Sequence, residues 1–262
     1  MGLWSYFAWY AGQTKDEFRF ARERWFGATT YAGGADKLGH AYANYVMTRI
    51  AAQELQWGGY SAGFASAASS LLTLAFFTGI EIKDGYHKGF GFSRGDMLAD
   101  VVGIGLANLM LWSPRLDELF DFRINYFPSS LFAESLLHGD VDVGEDYSGM
   151  DFGVWLHLGS LQAVRQRDQL WAARFVDVGL GYATRGVLPI PKDPTVQRER
   201  QPYIGITANL AALFDAWLFN YGAREGHGRR LVRGFAEFVT LPFTTWKLGP
   251  VLTSPQFPET VP

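Results

Sequence analysis

The sequence predicts an α+β protein: an N-terminal, membrane-associated helical bundle containing a helical hairpin, then a small antiparallel β-sheet region and C-terminal amphipathic helices. Three observations carry that expectation. Charge is scarce, at 19% of 262 residues against about 25% in an average globular chain, and it is missing in blocks. Apolar residues change from helical spacing before Pro128 to alternation after Met150. Small residues recur at every fourth position in two of the segments poorest in charge.

At roughly 150 residues per domain the length allows one or two domains with a sizeable core. The 23 Lys and Arg against 26 Asp and Glu, a net charge of -3, argue against a nucleic-acid partner. Zero cysteines remove disulfides, thiolate metal sites and thiol nucleophiles. The 21 Phe, 12 Tyr and 9 Trp, combined with sparse charge, fit contact with lipid as well as water.

The N-terminal MGLWSYFAWYAG is apolar but has no basic n-region or small-residue cleavage site, so it does not read as a signal peptide. A helix is expected from Asp36 to about Gln56, after Gly33 and Gly34 and before Gly58 and Gly59. Leu55 to Ile80 carries no charge. Within it, Ala62 to Ile80 is long enough at about 1.5 Å per residue to approach the roughly 30 Å hydrocarbon thickness; its Ala- and Ser-rich first half also suits a helix buried in a soluble bundle. Ala62, Ser66 and Ser70 form one small-residue stripe, and Ala99, Gly103 and Ala107 form another in Gly95 to Trp112. Pro114 stops the second segment. The connection from Glu81 to Arg94 is too short for a further domain, so the pair reads as an antiparallel hairpin.

The expected organisation is a helical domain over 1–128, an acidic linker loop over 129–150 and a strand-containing region with C-terminal helices over 151–262. Strands are predicted around Phe152 to Leu158, Val176 to Tyr182 and Ile204 to Ala208, with Gly179, Gly181 and Gly205 opposite the apolar positions. Three short strands are too few for a closed membrane barrel of about eight. They suit a small sheet resting on the helices or on a membrane surface. Asn209 to Tyr221 and Arg229 to Val239 regain helical period, the second with Arg229, Arg230 and Arg233 opposite Leu231, Phe235 and Phe238. It reads either as an interfacial helix drawn to anionic headgroups or as a solvated surface helix.

Ionisable residues inside apolar helices carry the most functional information, because burying them is costly. Asp36, His40 and Asn44 fall at i, i+4 and i+8, with Lys37 beside them; Glu81 and Asp84 close the uncharged run; Asp96 and Asp100 share the small-residue face of the second hairpin helix. Packing the hairpin through the stripes would turn Asp96 and Asp100 toward Lys37, His40 and Arg94. The candidate catalytic residues are therefore His40, Asp36, Asp96 and Asp100, with Lys37, Asn44, Glu81, Asp84, Ser93 and Arg94 as binding residues. Asp, Glu and His ligate divalent cations, and a carboxylate beside imidazole can serve as general base. The spacing matches no H-E-x-x-H zinc motif, so metal and cofactor stay open. The alternative is an ion-pair network locking the hairpin, with Asp36 capping its helix. GFGFSRG is no nucleotide loop, the stretch with Asp140, Asp142, Glu145 and Asp146 lacks an EF-hand register, and His87 and His157 show no partners in sequence.

The runs ERWFGATTYAGGADKLGHAYANY and GIEIKDGYHKGFGFSRGDMLADVVG, with the later EDYSG, LGYATRG and YIGITANL, resemble the YfiM-like domain-of-unknown-function family. That family comprises predicted periplasmic or outer-membrane-associated proteins of Gram-negative bacteria. The resemblance picks out Asp36, Lys37, His40, Glu81, Asp84, Ser93, Asp96 and Gly103. A fainter similarity reaches VanZ-like membrane proteins, with Asp100 standing where that pattern has Asn. The resemblance implies an envelope location on the outer-membrane or periplasmic side and contact with membrane lipid and envelope partners. Many such proteins are described as lipoproteins, so without a cysteine this chain is expected to meet the membrane through its helices. Two functions follow: a structural, scaffold or binding component of envelope maintenance, or a lipid-headgroup-binding protein or hydrolase using the His and carboxylate cluster, with or without a metal.

Overall fold

The computed structural model describes residues 17–136, 143–191, 193, 195–217 and 234–256. Three long helices form its first part: α1 (Ala35–Trp57), α2 (Ala62–Gly85) and α3 (Arg94–Trp112). Gly34, at φ 93°, turns the chain into α1, where a Cβ would meet the Trp25 carbonyl oxygen at 2.7 Å. Ser61 caps α2 by accepting from Phe64 N at 3.3 Å, and Ser93 caps α3 by accepting from Asp96 N at 3.0 Å. Pro114 opens the short α4 (Pro114–Leu119).

The small-residue stripe of α3 packs on α1, and not on its hairpin partner as the spacing suggested. Gly103 lies against Ala41, while Ala99 and Ala107 are buried in the same core as Ala41 and Tyr45. The hairpin contact between α2 and α3 is instead polar at its Ser66 end. Asn108 Nδ2 donates to Ser70 Oγ at 2.8 Å, Trp112 Nε1 donates to Ser66 Oγ at 2.9 Å, and Ser66 Oγ also bonds Asn108 Oδ1. The outer faces of both helices are apolar and exposed, including Phe64, Leu71, Leu72, Leu98, Val101 and Val102. Both helices are long and apolar enough to cross a membrane.

Strand β1 (Phe120–Tyr126) lies before the expected linker, and α5 (Ser130–Leu136) occupies part of it. The expected strands are the centre of the sheet: β2 (Met150–His157), β3 (Val176–Arg185) and β4 (Arg198–Ala208). Between β2 and β3 comes the single-turn α6 (Gln162–Arg165). The helix expected from Asn209 is α7 (Leu210–Trp217); its expected end, Tyr221, and residues 229–233 of the basic helix lie outside the described residues, where 234–238 are helical. Phe238 packs on Tyr45, whereas Phe235 is exposed, so the two do not share one buried side. Short strands β5 (Val239–Thr240), β6 (Thr245–Leu248) and β7 (Leu252–Ser254) enlarge the sheet to seven strands among the described residues. The order is β5-β1-β2-β3-β4-β6, with β7 also on β4. Neighbours are antiparallel except β5, which pairs parallel to β1.

One face of β1 and β2 packs on α1: Phe122, Met150 and Phe152 join Ala41 and Tyr45 in the main core. On the opposite face, Trp155 lies over Gly179 and Gly205, where a Cβ would approach its ring to 2.8 and 2.7 Å. Those glycines are the room the indole needs.

The acidic stretch is not a uniformly solvated loop. Asp146 is fully buried and accepts from Ser129 Oγ at 2.6 Å, Ser129 N at 2.8 Å and Gly149 N at 3.1 Å. Asp140 and Asp142 lie outside the described residues.

Candidate functional site

The close approach of α3 to α1 places Asp100 and Asp96 beside Asp36, Lys37, His40 and Asn44. Asp100 is wholly buried; its Oδ1 bonds His40 Nδ1 at 2.9 Å and accepts from Asn44 Nδ2 at 2.6 Å. Its Oδ2 is buried with no hydrogen-bond partner among the described residues. His40 Nε2 faces Glu81 Oε1 at 3.8 Å and Asp36 Oδ1 at 3.9 Å. Glu81 reaches the site from the end of α2, and its Oε2 accepts from Ser93 N at 2.9 Å. Lys37 Nζ pairs with Asp96 Oδ1 at 2.6 Å and Glu23 Oε2 at 2.7 Å. One ligand atom each from Asp36, His40 and Asp96 lies within 4.8 Å of the others.

The electrostatics follow from burial. Asp36, Glu81, Asp96 and Asp100 are four buried carboxylates, and Lys37 and His40 are the cations that face them. With these groups and Glu23, the other partner of Lys37, all charged, three negative charges remain in excess, and a low-dielectric interior neutralises such an excess with protons or with a cation. Burial alone would lower the pKa of His40; the Asp100 hydrogen bond and the charges of Asp36, Asp96 and Asp100 outweigh it and hold the imidazole at about 10. Lys37 likewise stays above its ordinary value, because Asp36, Asp96 and Glu23 overcome the burial that opposes its charge.

Most of the predicted residues converge. Arg94 does not join Asp96: its guanidinium sits over the Phe20 ring at 4.8 Å from the centroid. Asp84 lies half-buried nearly a turn past Glu81. Asp36 is no cap, since the residue preceding α1 is Gly34; it accepts from Tyr147 Oη at 2.8 Å instead. Burial raises the pKa of Tyr147 well above the ordinary phenol value. Tyr147 and Glu23 were missed as site residues, although both fall inside the ERWFG and EDYSG motifs that carry the family resemblance.

A second buried cluster lies on the sheet face opposite α1. His157 bonds Asp177 Oδ1 through Nδ1 and Asp121 Oδ2 through Nε2, each at 2.9 Å. Arg123 Nη2 reaches Asp177 Oδ2 at 2.7 Å and Asp121 Oδ2 at 2.9 Å, and Asn209 Nδ2 donates to Asp177 Oδ1 at 2.7 Å. Both His157 nitrogens are engaged, which makes this a brace between strands and leaves no ring nitrogen for a ligand.

An apolar-faced helical hairpin packed on a third helix, with a His and carboxylate cluster between them, defines a membrane-associated helical core. Residues 22–112, which hold all three long helices, match the family described as "Predicted periplasmic lipoprotein (DUF2279)". This is the family the YfiM-like motifs indicated, and it gives no support to the VanZ-like similarity. The protein is thus a Gram-negative envelope protein of the outer-membrane or periplasmic side. No curated protein and no solved structure matches the chain.

Proposed function

We propose that the helical core binds a divalent cation and through it engages phosphate-bearing lipid headgroups at the envelope membrane. One observation carries this reading: Asp100 holds His40 Nδ1, while Nε2 faces Asp36 and Glu81 across gaps of 3.9 and 3.8 Å. Those gaps are too long for hydrogen bonds. Two ligands each about 2.1 Å from one ion stand about 3 to 4 Å apart, so small side-chain adjustments would seat a cation there. A carboxylate on the far nitrogen is the usual support of a metal-bound imidazole. Mixed oxygen and imidazole donors suit Zn²⁺ or Mn²⁺.

Asp36, His40 and Asp96 would supply the ligands, with Glu81 as a fourth ligand or as base toward a cation-bound water. In the latter role the centre would be hydrolytic toward a headgroup ester. The short Lys37 contacts to Asp96 and Glu23 favour a second reading, an ion-pair lock in a scaffold component of envelope maintenance. Metal analysis of the full chain purified in detergent, followed by binding to phosphatidylglycerol vesicles with and without a chelator, decides between them. About one ion per chain, lost in His40→Ala, with chelator-sensitive vesicle binding, supports the cation centre. Metal-free wild-type protein that binds vesicles equally with and without chelator rejects it.

A further inference from the structure

The helices cover only part of the sheet. The face that packs on α1 over β1 and β2 continues across β3, β4 and β6, where the described residues leave much of it exposed. Two cross-strand rows run along it in register: Val154–Leu180–Ile204–Leu248 and Leu156–Val178–Ile206–Trp246. Neither row contains a polar side chain other than the Trp246 indole. Leu180 is 67% exposed, Ile204 60%, Leu248 79% and Trp246 82%.

We propose that this bare half of the sheet is a second lipid-contacting surface, occupied by acyl chains of the envelope membrane. Three observations select lipid. The polarity of the sheet is inverted: Asp121, Arg123, His157 and Asp177 are buried on the reverse face while the apolar rows point outward, as in membrane strands and unlike sheets in water.

Exposed tryptophans gather at one end. Trp171 precedes β3, Trp217 follows β4 and Trp246 lies in the first half of β6, which the antiparallel pairing brings to the same end of the strands. Arg185 and Glu199, paired across β3 and β4, mark the other end. Aromatic side chains on one border of an apolar band and charges on the other match a membrane–water interface. Finally, the bare rows lie on the same side of the sheet as the helices, so a membrane meeting the apolar hairpin is on hand for both. With only a few apolar positions along each strand, the band suits insertion into one leaflet.

The chain contains no cysteine, so each introduced thiol is unique. Leu180→Cys, Ile204→Cys and Leu248→Cys, and the loop control Thr195→Cys, would carry nitroxide labels in full-length protein on phosphatidylethanolamine and phosphatidylglycerol vesicles. Power-saturation EPR should show oxygen collisions exceeding nickel-chelate collisions by about tenfold at the three sheet positions, as expected in hydrocarbon, and the reverse at Thr195. Nickel access equal to Thr195 at all three would overturn the proposal. So would spin–spin broadening across the face that persists without vesicles, which assigns the face to a second copy. In the protein that stays on the vesicles, chelator should leave the sheet labels unchanged, because this surface does not use the His40 centre.

Discussion

Gly103 of α3 sits so close to Ala41 of α1 that a Cβ at position 103 would lie 2.1 Å from the Ala41 carbonyl oxygen. The atom it would meet is backbone, which cannot rotate away. Gly103→Ala should destabilise the protein by about 1 to 3 kcal/mol through overpacking, read as a lower melting temperature in detergent. The same change should loosen the His40 to Asp100 contact, since both lie on the two helices being forced apart. Unchanged melting would show that α1 and α3 separate freely.

Asp100 orients His40 without being placed among the cation ligands. Asp100→Asn should lower divalent-cation affinity by about 10- to 100-fold. His40→Ala and Asp100→Ala should each abolish ligand binding while the protein still cosediments with membranes. A double variant with wild-type cation and headgroup binding would remove the site from consideration.

His157 gives a pH dependence of stability. Burial favours its neutral form, but the hydrogen bonds it donates to Asp121 and Asp177 and their charges outweigh burial and raise its pKa from 6.5 to about 9. A pKa raised on folding adds stability that is fully present below about 6.5 and is lost as pH rises toward 9. Melting temperature should therefore fall across that window, by a stability on the order of 3 kcal/mol at most. His157→Gln should melt lower at pH 6 and show a flatter profile. A wild-type profile as flat as that of the variant would refute the assignment.

The polar contact between α2 and α3 depends on Asn108, whose amide group bonds Ser66, Ser70 and the Ile104 carbonyl. Asn108→Leu leaves Ser66 and Ser70 with fewer partners inside an apolar pair. A loss of about 1 to 3 kcal/mol is expected, measured by thermal unfolding; no loss would make the ladder incidental.

Helix ends were readable because their chemistry is local. Gly33 and Gly34 before α1 and Pro114 after α3 mark boundaries within a residue or two of where they fall, whereas α2 continues to Gly85, five residues past the expected Ile80. The partner of the Ala99, Gly103 and Ala107 stripe was not readable, since a four-residue period says that a face is packed and not which helix packs it. Asp36, His40, Glu81 and Asp100 stood out because charge is rare in apolar helices, whereas Glu23 and Tyr147 lie outside the long helices, where a carboxylate or a phenol carries no such signal. Strand β1 alternates Phe120, Phe122 and Ile124 with Asp121, Arg123 and Asn125, a pattern that normally assigns the charged set to water. Here Asp121 and Arg123 are buried instead, and the partners of His157 come from other strands far along the chain.

The parallel pairing of β5 with β1 bears on how the protein is made. Until residues 239–240 arrive, the outer hydrogen-bonding edge of β1 at Ile124 and Asn125 stays open, and an open edge invites pairing with other chains. A chain ending before residue 239 would keep that edge unpaired, so the strand that closes the sheet beside β1 is supplied more than a hundred residues later in the chain.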